Sequence, residues 1–242
     1  MYFLFSGEGP SDLGFGLSAN LSEGNNYKPG PLTLLVSQIV DDLDGYSIME
    51  FQCFGYVSKK HLKEYFDEKK PLKVFPIPRR EMRESQGTKY FENNARALAE
   101  IAKEIAQQKD DDVVAILFRD SDRRNSSGKV EWERKRKSML SGFKTQRFDR
   151  GVAMMPNPCS EAWILCALYR KGDPNQNCDK LESSKYGAGE QHSLKTKLED
   201  YLNQQACPNV LNPMIENQEI HYRFISLNSF QVFLDNLQEA IK

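Results

Sequence analysis

The residues best suited to chemistry are Asp120, Ser121 and Asp122, which close the stretch Asp110 to Arg124, DDDVVAILFRDSDRR. Val113 to Phe118 is a short apolar run between charged flanks. Its length and β-branched content predict a strand buried on both faces, as in a parallel sheet. In extended chain, residues i and i+2 point the same way, so Asp120 and Asp122 converge beyond the strand's carboxyl end. Ligand sites of open α/β sheets lie outside such ends. Paired carboxylates repel unless a cation or a proton sits between them, and Mg²⁺ favours hard oxygen donors of this kind. A polar loop that merely caps a strand would use the same residues.

The elements that must position this pair come from the rest of the chain. Tyr2 to Phe5 predicts a first strand, and it runs into Ser6-Gly7-Glu8-Gly9-Pro10-Ser11-Asp12. Glycines on either side of Glu8 permit a sharp turn and a close approach. If the strands are parallel, Glu8 emerges at the same edge as Asp120 and Asp122; alone, it is equally an exposed acid in a turn. Leu13 to Gly30, rich in Gly, Asn and Ser, reads as a long mobile loop beside that edge. Pro31 opens a helix with Leu32, Leu35, Ile39 and Leu43 at helical spacing. Ser47 to Val57 and Leu72 to Ile77 read as strands, with the charged amphipathic stretch Ser58 to Lys69 between them. Arg79 to Thr88 reads as a mobile basic loop. Tyr90 to Gln108 is a helix with the stripe Phe91, Ala95, Leu98, Ile101, Ala102 and Ile105. Alternation of strand and helix argues for a parallel sheet.

Arg119 to Arg150 holds 11 Lys and Arg against 5 Asp and Glu, an excess of 6, in a chain whose net charge is −1. Glu133 to Lys144 within it is expected to be helical, with Arg134, Lys135, Arg136 and Lys137 in one run. Such a run is an ordinary solvated face, or the cationic border that a phosphate backbone needs. Gly151 to Met155 predicts another strand. Pro156-Asn157-Pro158-Cys159 then leads to Ser160, read as the cap of a buried helix from Glu161 to Leu168. Glu161 suits the first turn through the helix dipole alone, and is also a carboxylate at another strand-to-helix junction. Gly172 to Gly189 reads as a loop region with no clear period. Leu194 to Tyr201 and Ser229 to Ile241 read as helices, the latter with Phe230, Phe233, Leu234 and Leu237 on one face.

Composition narrows the function classes. With 39% hydrophobic and 28% charged residues the chain suits a globular fold, and near-neutral charge excludes a uniformly basic nucleic-acid coat. No apolar run approaches a membrane span, and MYFLFSGEGP is too briefly apolar, and lacks the basic lead, for a signal peptide. The 5 cysteines include no C-x-x-C pair, and His61, His192 and His221 show no ligand spacing, which argues against zinc sites and for reduced thiols in the cytoplasm.

Three pieces stand in order: F-S-G-E-G-P-S-D after the first strand, L-F-R-D-S-D after a later one, and N-P-C-S-E-A-W-I-L before a buried helix. Together they resemble the TOPRIM domains of the OLD-type and RloB-like nuclease group, over roughly residues 1 to 170. The resemblance implies an α/β, Rossmann-like, mainly parallel sheet flanked by helices over residues 1–170, with a small, mostly helical extension over 171–242. It matches Glu8 and the pair Asp120 and Asp122 to the family's glutamate and D-x-D. Asp12 falls on the last acid of E-G-x-x-[DE], and Glu161 on the acid of N-P-C-x-E-x-W. The late lysine of some OLD-type nucleases has Lys185, Lys195 and Lys197 as candidates here. Leu13 to Gly30 is longer than the family's turn.

The implied activity is phosphodiester hydrolysis in DNA or RNA with Mg²⁺ or Mn²⁺, as the effector of a phage-defence or restriction-linked system. No G-x-x-x-x-G-K-[ST] occurs, so an ATPase would be a separate partner. Two metals about 4 Å apart can activate water and offset charge on the leaving oxygen. On this reading Asp120 and Asp122 bind one metal. Glu8, with Asp12 or Glu161, binds the second or acts as general base. Arg119, Arg123 and Arg124 take phosphate oxygens, and Arg134 and Lys135 extend the nucleic-acid contact. A haloacid-dehalogenase-like phosphotransferase would instead need D-x-D after the first strand, where only Glu8 stands. The alternative is a catalytically silent TOPRIM module that binds and regulates the ATPase.

Overall fold

Strand β1 (Tyr2–Gly7) is buried at every position and lies in the middle of the sheet, between β5 (Phe54–Val57) and β6 (Val113–Phe118). A strand with sheet on both sides and helices on both faces has no solvated side, which is why Tyr2 to Phe5 is continuously apolar and buried Ser6 donates its Oγ to the Val57 carbonyl at 2.8 Å. The structure, a computed structural model, describes residues 1–68, 88–121, 128–183 and 193–242. The five-stranded sheet runs β3-β5-β1-β6-β7, where β3 is Leu21–Glu23 and β7 is Gly151–Met154. β5, β1, β6 and β7 are mutually parallel, and β3 is the antiparallel edge. The chain is thus α/β with a mainly parallel sheet, as the alternation of elements predicts.

Each face of the sheet has its own core. Phe3, Phe5, Val114, Ile116, Phe118, Val152 and Met154 point to one side. There they meet α1 (Pro31–Asp44) and, after β7, the helix Ser160–Gly172. Tyr2, Leu4, Val113, Ala115, Leu117 and Ala153 point to the other, against α2 (Lys59–Glu68), α3 (Lys89–Lys109) and α4 (Gly128–Thr145). The Ser160–Gly172 helix, α5, is buried from Ala162 to Leu168. The C-terminal elements α6 (Asp179–Ser183), α7 (Leu194–Leu202), α8 (Pro208–Glu216) and α9 (Asn228–Ile241) join the first core. Trp163 of α5 anchors them. Its ring lies 5.0 Å from Phe230 edge-on and 5.5 Å from Phe233 in a stack, and Nε1 donates to Ser229 Oγ at 2.8 Å. Aromatic pairs of this geometry add ~0.5–1.5 kcal/mol each beyond area burial. No helix among the described residues is long and apolar enough to cross a membrane.

Four expectations change. The loop region Gly172 to Gly189 holds the short helix α6. Leu13 to Gly30 is not a loose loop. It holds β2 (Gly14–Gly16) paired antiparallel with β4 (Tyr27–Pro29), besides the edge strand β3. Its fixed point is buried Tyr27, whose hydroxyl donates to the Leu13 carbonyl at 2.6 Å and lies 2.8 Å from Thr33 Oγ1. Only Phe54–Val57 of Ser47 to Val57 is strand; the chain before it turns, with Gln52 at φ 51° and Cys53 N–H bonded to the Ile48 carbonyl. α8 was not foreseen, because Pro213 sits inside it. The expected strand Leu72 to Ile77, and Arg79 to Ser85 of the expected basic loop with Gln86 and Gly87, fall outside the described residues.

Gly14 joins this ribbon to the segment bearing Asp12. At φ +98°, a Cβ there would lie 2.0 Å from the Lys28 carbonyl oxygen and 2.5 Å from Gly30 N. Gly14→Ala is expected to cost more than about 2 kcal/mol, from a left-handed backbone and a backbone clash combined. That should lower Tm by about 5 °C or more in a chain of this size. A melting curve superimposable on wild type would show that the ribbon does not depend on this contact.

Candidate functional site

The parallel register brings three strand ends to one level. Gly7 of β1 lies opposite Phe118 of β6, and Phe118 lies opposite Met154 of β7. Glu8, Asp120 and the turn from Met155 to Cys159 therefore leave the sheet at the same edge. The turn is tied to the acidic loop. Arg119 N–H donates to the Met154 carbonyl at 3.1 Å, and both the N–H and Oγ of Ser121 donate to the Pro158 carbonyl at 3.1 Å.

The start of α5 completes the arrangement. The first N–H groups of a helix lack intrahelical partners. The N-cap here is Cys159, which makes no side-chain cap bond. Asp120 serves instead from across the fold, its Oδ1 accepting the Ser160 N–H at 3.1 Å. Ser160 is thus the first helical residue rather than the cap, and its hydroxyl is free to donate to Asp12 Oδ1 in a short hydrogen bond. Two carboxylates from distant segments meet at one helix N-terminus, where the dipole favours negative charge. Glu161 adds a third in the first turn.

The electrostatics follow from that crowding. The Asp12 carboxyl is pushed up to about 6, first by burial and further by the Glu161 charge, against lowering by the Ser160 and Ser11 hydroxyls and by Lys195. The Cys159 thiol is held well above its usual range by burial, reinforced by the charges of Glu161 and Asp120. Asp12, Ser160, Glu161 and Lys195 line one small cavity, about 30 Å³, whose floor is apolar: Leu32, Ile164, Leu198 and Leu211. Lys195 stands on α7, lines the cavity and acts by its charge on Asp12. Lys185 lies outside the described residues, and Lys197 is not among the residues lining the cavity. Sequence spacing could not single out Lys195; only the packing of Leu194 and Leu198 into the first core brings it here.

The remaining candidates are placed differently. Glu8 pairs with Lys59 Nζ at 2.8 Å. That bond holds the Lys59 ammonium above its usual range. Arg119 is offered by the sequence to a phosphate, yet it is 0% exposed. Its Nη1 donates to the Phe118 carbonyl at 2.7 Å, and its guanidinium lies 5.6 Å from the Tyr90 ring centre. Lys135 turns inward too, with Nζ bonded to the Ser121 carbonyl at 2.6 Å and to Glu131 at 3.2 Å, so it braces the acidic loop. Arg134 is exposed on α4. Asp122, Arg123 and Arg124 fall outside the described residues.

Among the described residues no group of three or more His, Cys, Asp or Glu is arranged to hold a metal ion. The donors that meet at α5 are all carboxylates, and Asp12 carries the raised affinity for a proton expected of a buried acid beside the Glu161 charge. Mg²⁺ keeps several waters and is commonly held by one or two carboxylates plus substrate phosphate. Asp12, Asp120 and Glu161 are oxygen donors of that type, without the arrangement of a three-ligand group. No family model matches the chain, and neither a curated protein nor a solved structure matches it.

The Asp12 shift gives a pH prediction. Its folded value, about 6, exceeds the ordinary value of 3.8, so the stability contributed by the neutral acid is complete below about pH 4 and is lost as pH rises through 6. Asp12→Asn keeps an acceptor for Ser160 Oγ but cannot ionise. In metal-free buffer, wild type should lose on the order of 2 kcal/mol relative to this variant between pH 4 and pH 8. Denaturant midpoints for both proteins across that range check it; parallel curves would mean that Asp12 does not titrate there.

Proposed function

We propose that the chain is a TOPRIM-like, divalent-metal-dependent nuclease that hydrolyses phosphodiester bonds in DNA or RNA. We further propose that it acts with a separately encoded ATPase in phage defence or a restriction-linked system. The supporting observation is the meeting of Asp12, Asp120 and Glu161 at the N-terminus of α5, bordered by Lys195. These are hard oxygen donors from three motifs that are far apart in sequence.

On this reading Asp12, Asp120 and Glu161 would hold Mg²⁺ or Mn²⁺, which when bound supplies Lewis-acid stabilisation and an acidified water. The chain's own groups do the rest. The α5 N-terminus and Lys195 favour a phosphate at the mouth of the cavity. Asp12, where it is not engaged as a ligand, takes the proton of the attacking water, an exchange suited to a carboxyl poised near 6. Lys195 Nζ offsets charge that develops on the leaving oxygen. Ser160 keeps Asp12 and Asp120 at fixed separation, and Lys135 braces the loop between Asp120 and Asp122.

Two observations favour the silent-module alternative. Glu8 is already neutralised by Lys59, and no three-ligand metal group exists among the described residues. The two readings separate on metal binding. For the nuclease, Mn²⁺ should raise Tm of wild type, and plasmid, single-stranded DNA or total tRNA should be cleaved, with the ATPase added where one is known. Asp120→Asn retains an acceptor for Ser160 N–H, so it should fold normally yet lose the Mn²⁺ stabilisation and most of the cleavage. Lys195→Ala should keep the Mn²⁺ shift and lose about 10²–10³-fold in kcat. Cleavage undiminished in Asp120→Asn or in excess chelator would put the chemistry elsewhere, and a wild type indifferent to Mn²⁺ would leave the regulatory module as the better account.

A further inference from the structure

The β2–β4 ribbon begins two residues after Asp12 and displays an aromatic ring next to a cation. Phe15 pairs across the ribbon with Lys28. Phe15 is 43% exposed, and Lys28 Nζ lies 5.6 Å from its ring centre. Leu17, which follows with the same alternation, is 62% exposed. The opposite face is closed. Tyr27 is buried with its hydroxyl bonded, and a Cβ on Gly16 would lie 2.2 Å from Ser22 Oγ and 3.2 Å from the Tyr56 ring. Glycine at that position lets the ribbon press flat on the body of the protein. Phe15 is therefore presented outward by a backbone that is held on its inner side.

Single exposed apolar residues are ordinary. Position and company distinguish this one. Phe51 is also exposed, but it precedes β5 and so lies at the amino edge of the parallel strands, opposite the acids. Phe15 is three residues from Asp12, which bounds their Cα separation at about 11 Å. A lysine and an open aromatic side by side are the two groups that an unpaired nucleotide engages, its phosphate by charge and its base by stacking. A base inside a duplex has no open face to offer.

We infer that the outward face of the β2–β4 ribbon is a stacking platform for single-stranded nucleic acid, with Phe15 and Leu17 under the bases and Lys28 at the backbone. This rests on the nuclease reading, since it supplies the strand that the acids would cut. It adds that the substrate is engaged unpaired, at a point outside the acidic cavity. Sequence preference should be weak, because every base has a face to stack.

The test is binding of the full chain to fluorescein-labelled dT20, U20 and a 20-base-pair duplex, measured by anisotropy in chelator so that nothing is cleaved. Phe15→Ala should weaken the dT20 or U20 complex roughly 5- to 150-fold and leave the duplex unchanged, while Phe15→Trp should restore it. Lys28→Ala should lower the single-strand salt slope by about 0.7. Unchanged melting temperatures for these surface variants will show that they fold. Equal affinity of wild type and Phe15→Ala for single strands, or an equal loss on duplex, overturns the platform while leaving cleavage to be judged in Mn²⁺. A wild type that neither binds nor cleaves any of the three overturns the nuclease reading with it. A protein that cleaves normally but whose Phe15→Ala variant loses only a protein partner shows that the ribbon is a protein-docking face, and this too overturns the platform.

Discussion

The two hydrogen bonds made by Ser160 are the constraint on which the carboxyl edge depends. Its N–H goes to Asp120 and its hydroxyl to Asp12. Together they join the segment after β1, the segment after β6 and the helix after β7, which are far apart in sequence. Charge-assisted bonds of this kind are about twice as strong as neutral ones, and the helix terminus adds its own preference for anions. The same bonds crowd two carboxylates beside Glu161, so structure and electrostatics oppose one another. The raised affinity of Asp12 for a proton is where that opposition becomes visible. A proton relieves it at low pH; a cation in the cavity would relieve it at neutral pH.

Strand alternation decides which residues share the edge. β6 sends Val114, Ile116 and Phe118 to the α5 side, so Asp120 continues to that side and reaches Ser160. Arg119 belongs to the other series, with Val113, Ala115 and Leu117, and is carried beneath Tyr90 of α3. Glu8 likewise extends the series Tyr2, Leu4, Ser6 and finds Lys59 beside Tyr90. The edge is therefore split. Asp12, Asp120 and Glu161 gather on one side, and Glu8, Lys59 and Arg119 on the other. Acids that form one ordered set in sequence become two neighbourhoods in space.

That division marks how far the sequence was legible. The buried strand Val113–Phe118 and the helix from Lys89 to Lys109 were readable because each has one unbroken period. The motif N-P-C-S-E-A-W was readable as the entry to a buried helix, and Trp163 accounts for its last residue by holding α9. Leu13 to Gly30 was misread, since its glycines look like flexibility. In the fold, Gly14 lets the ribbon approach the Lys28 and Gly30 backbone, and Gly16 lets it press against Ser22 and Tyr56. Charge was misread in the same way. Arg119 and Lys135 look like surface cations in the sequence, but Arg119 turns under the Tyr90 ring and onto the Phe118 carbonyl, and Lys135 turns to the Ser121 carbonyl as well as to Glu131. Periodicity survives in a one-dimensional record, whereas a long side chain's direction does not.

Lys195 shows why the C-terminal elements belong to the chemistry rather than beside it. It reaches the acidic cavity only because Leu194 and Leu198 seat α7 in the core shared with α5. That core is closed by Trp163 against Phe230 and Phe233, two residues after Glu161. The chain from Ser160 to Trp163 thus faces two ways within one turn of helix. Its first residues organise carboxylates at the edge of the sheet, and Trp163 packs on α9 in the core that also seats Leu194 and Leu198 of α7. α7 lies directly against α5, so the acids and the only lysine lining the cavity among the described residues are carried by two helices in contact.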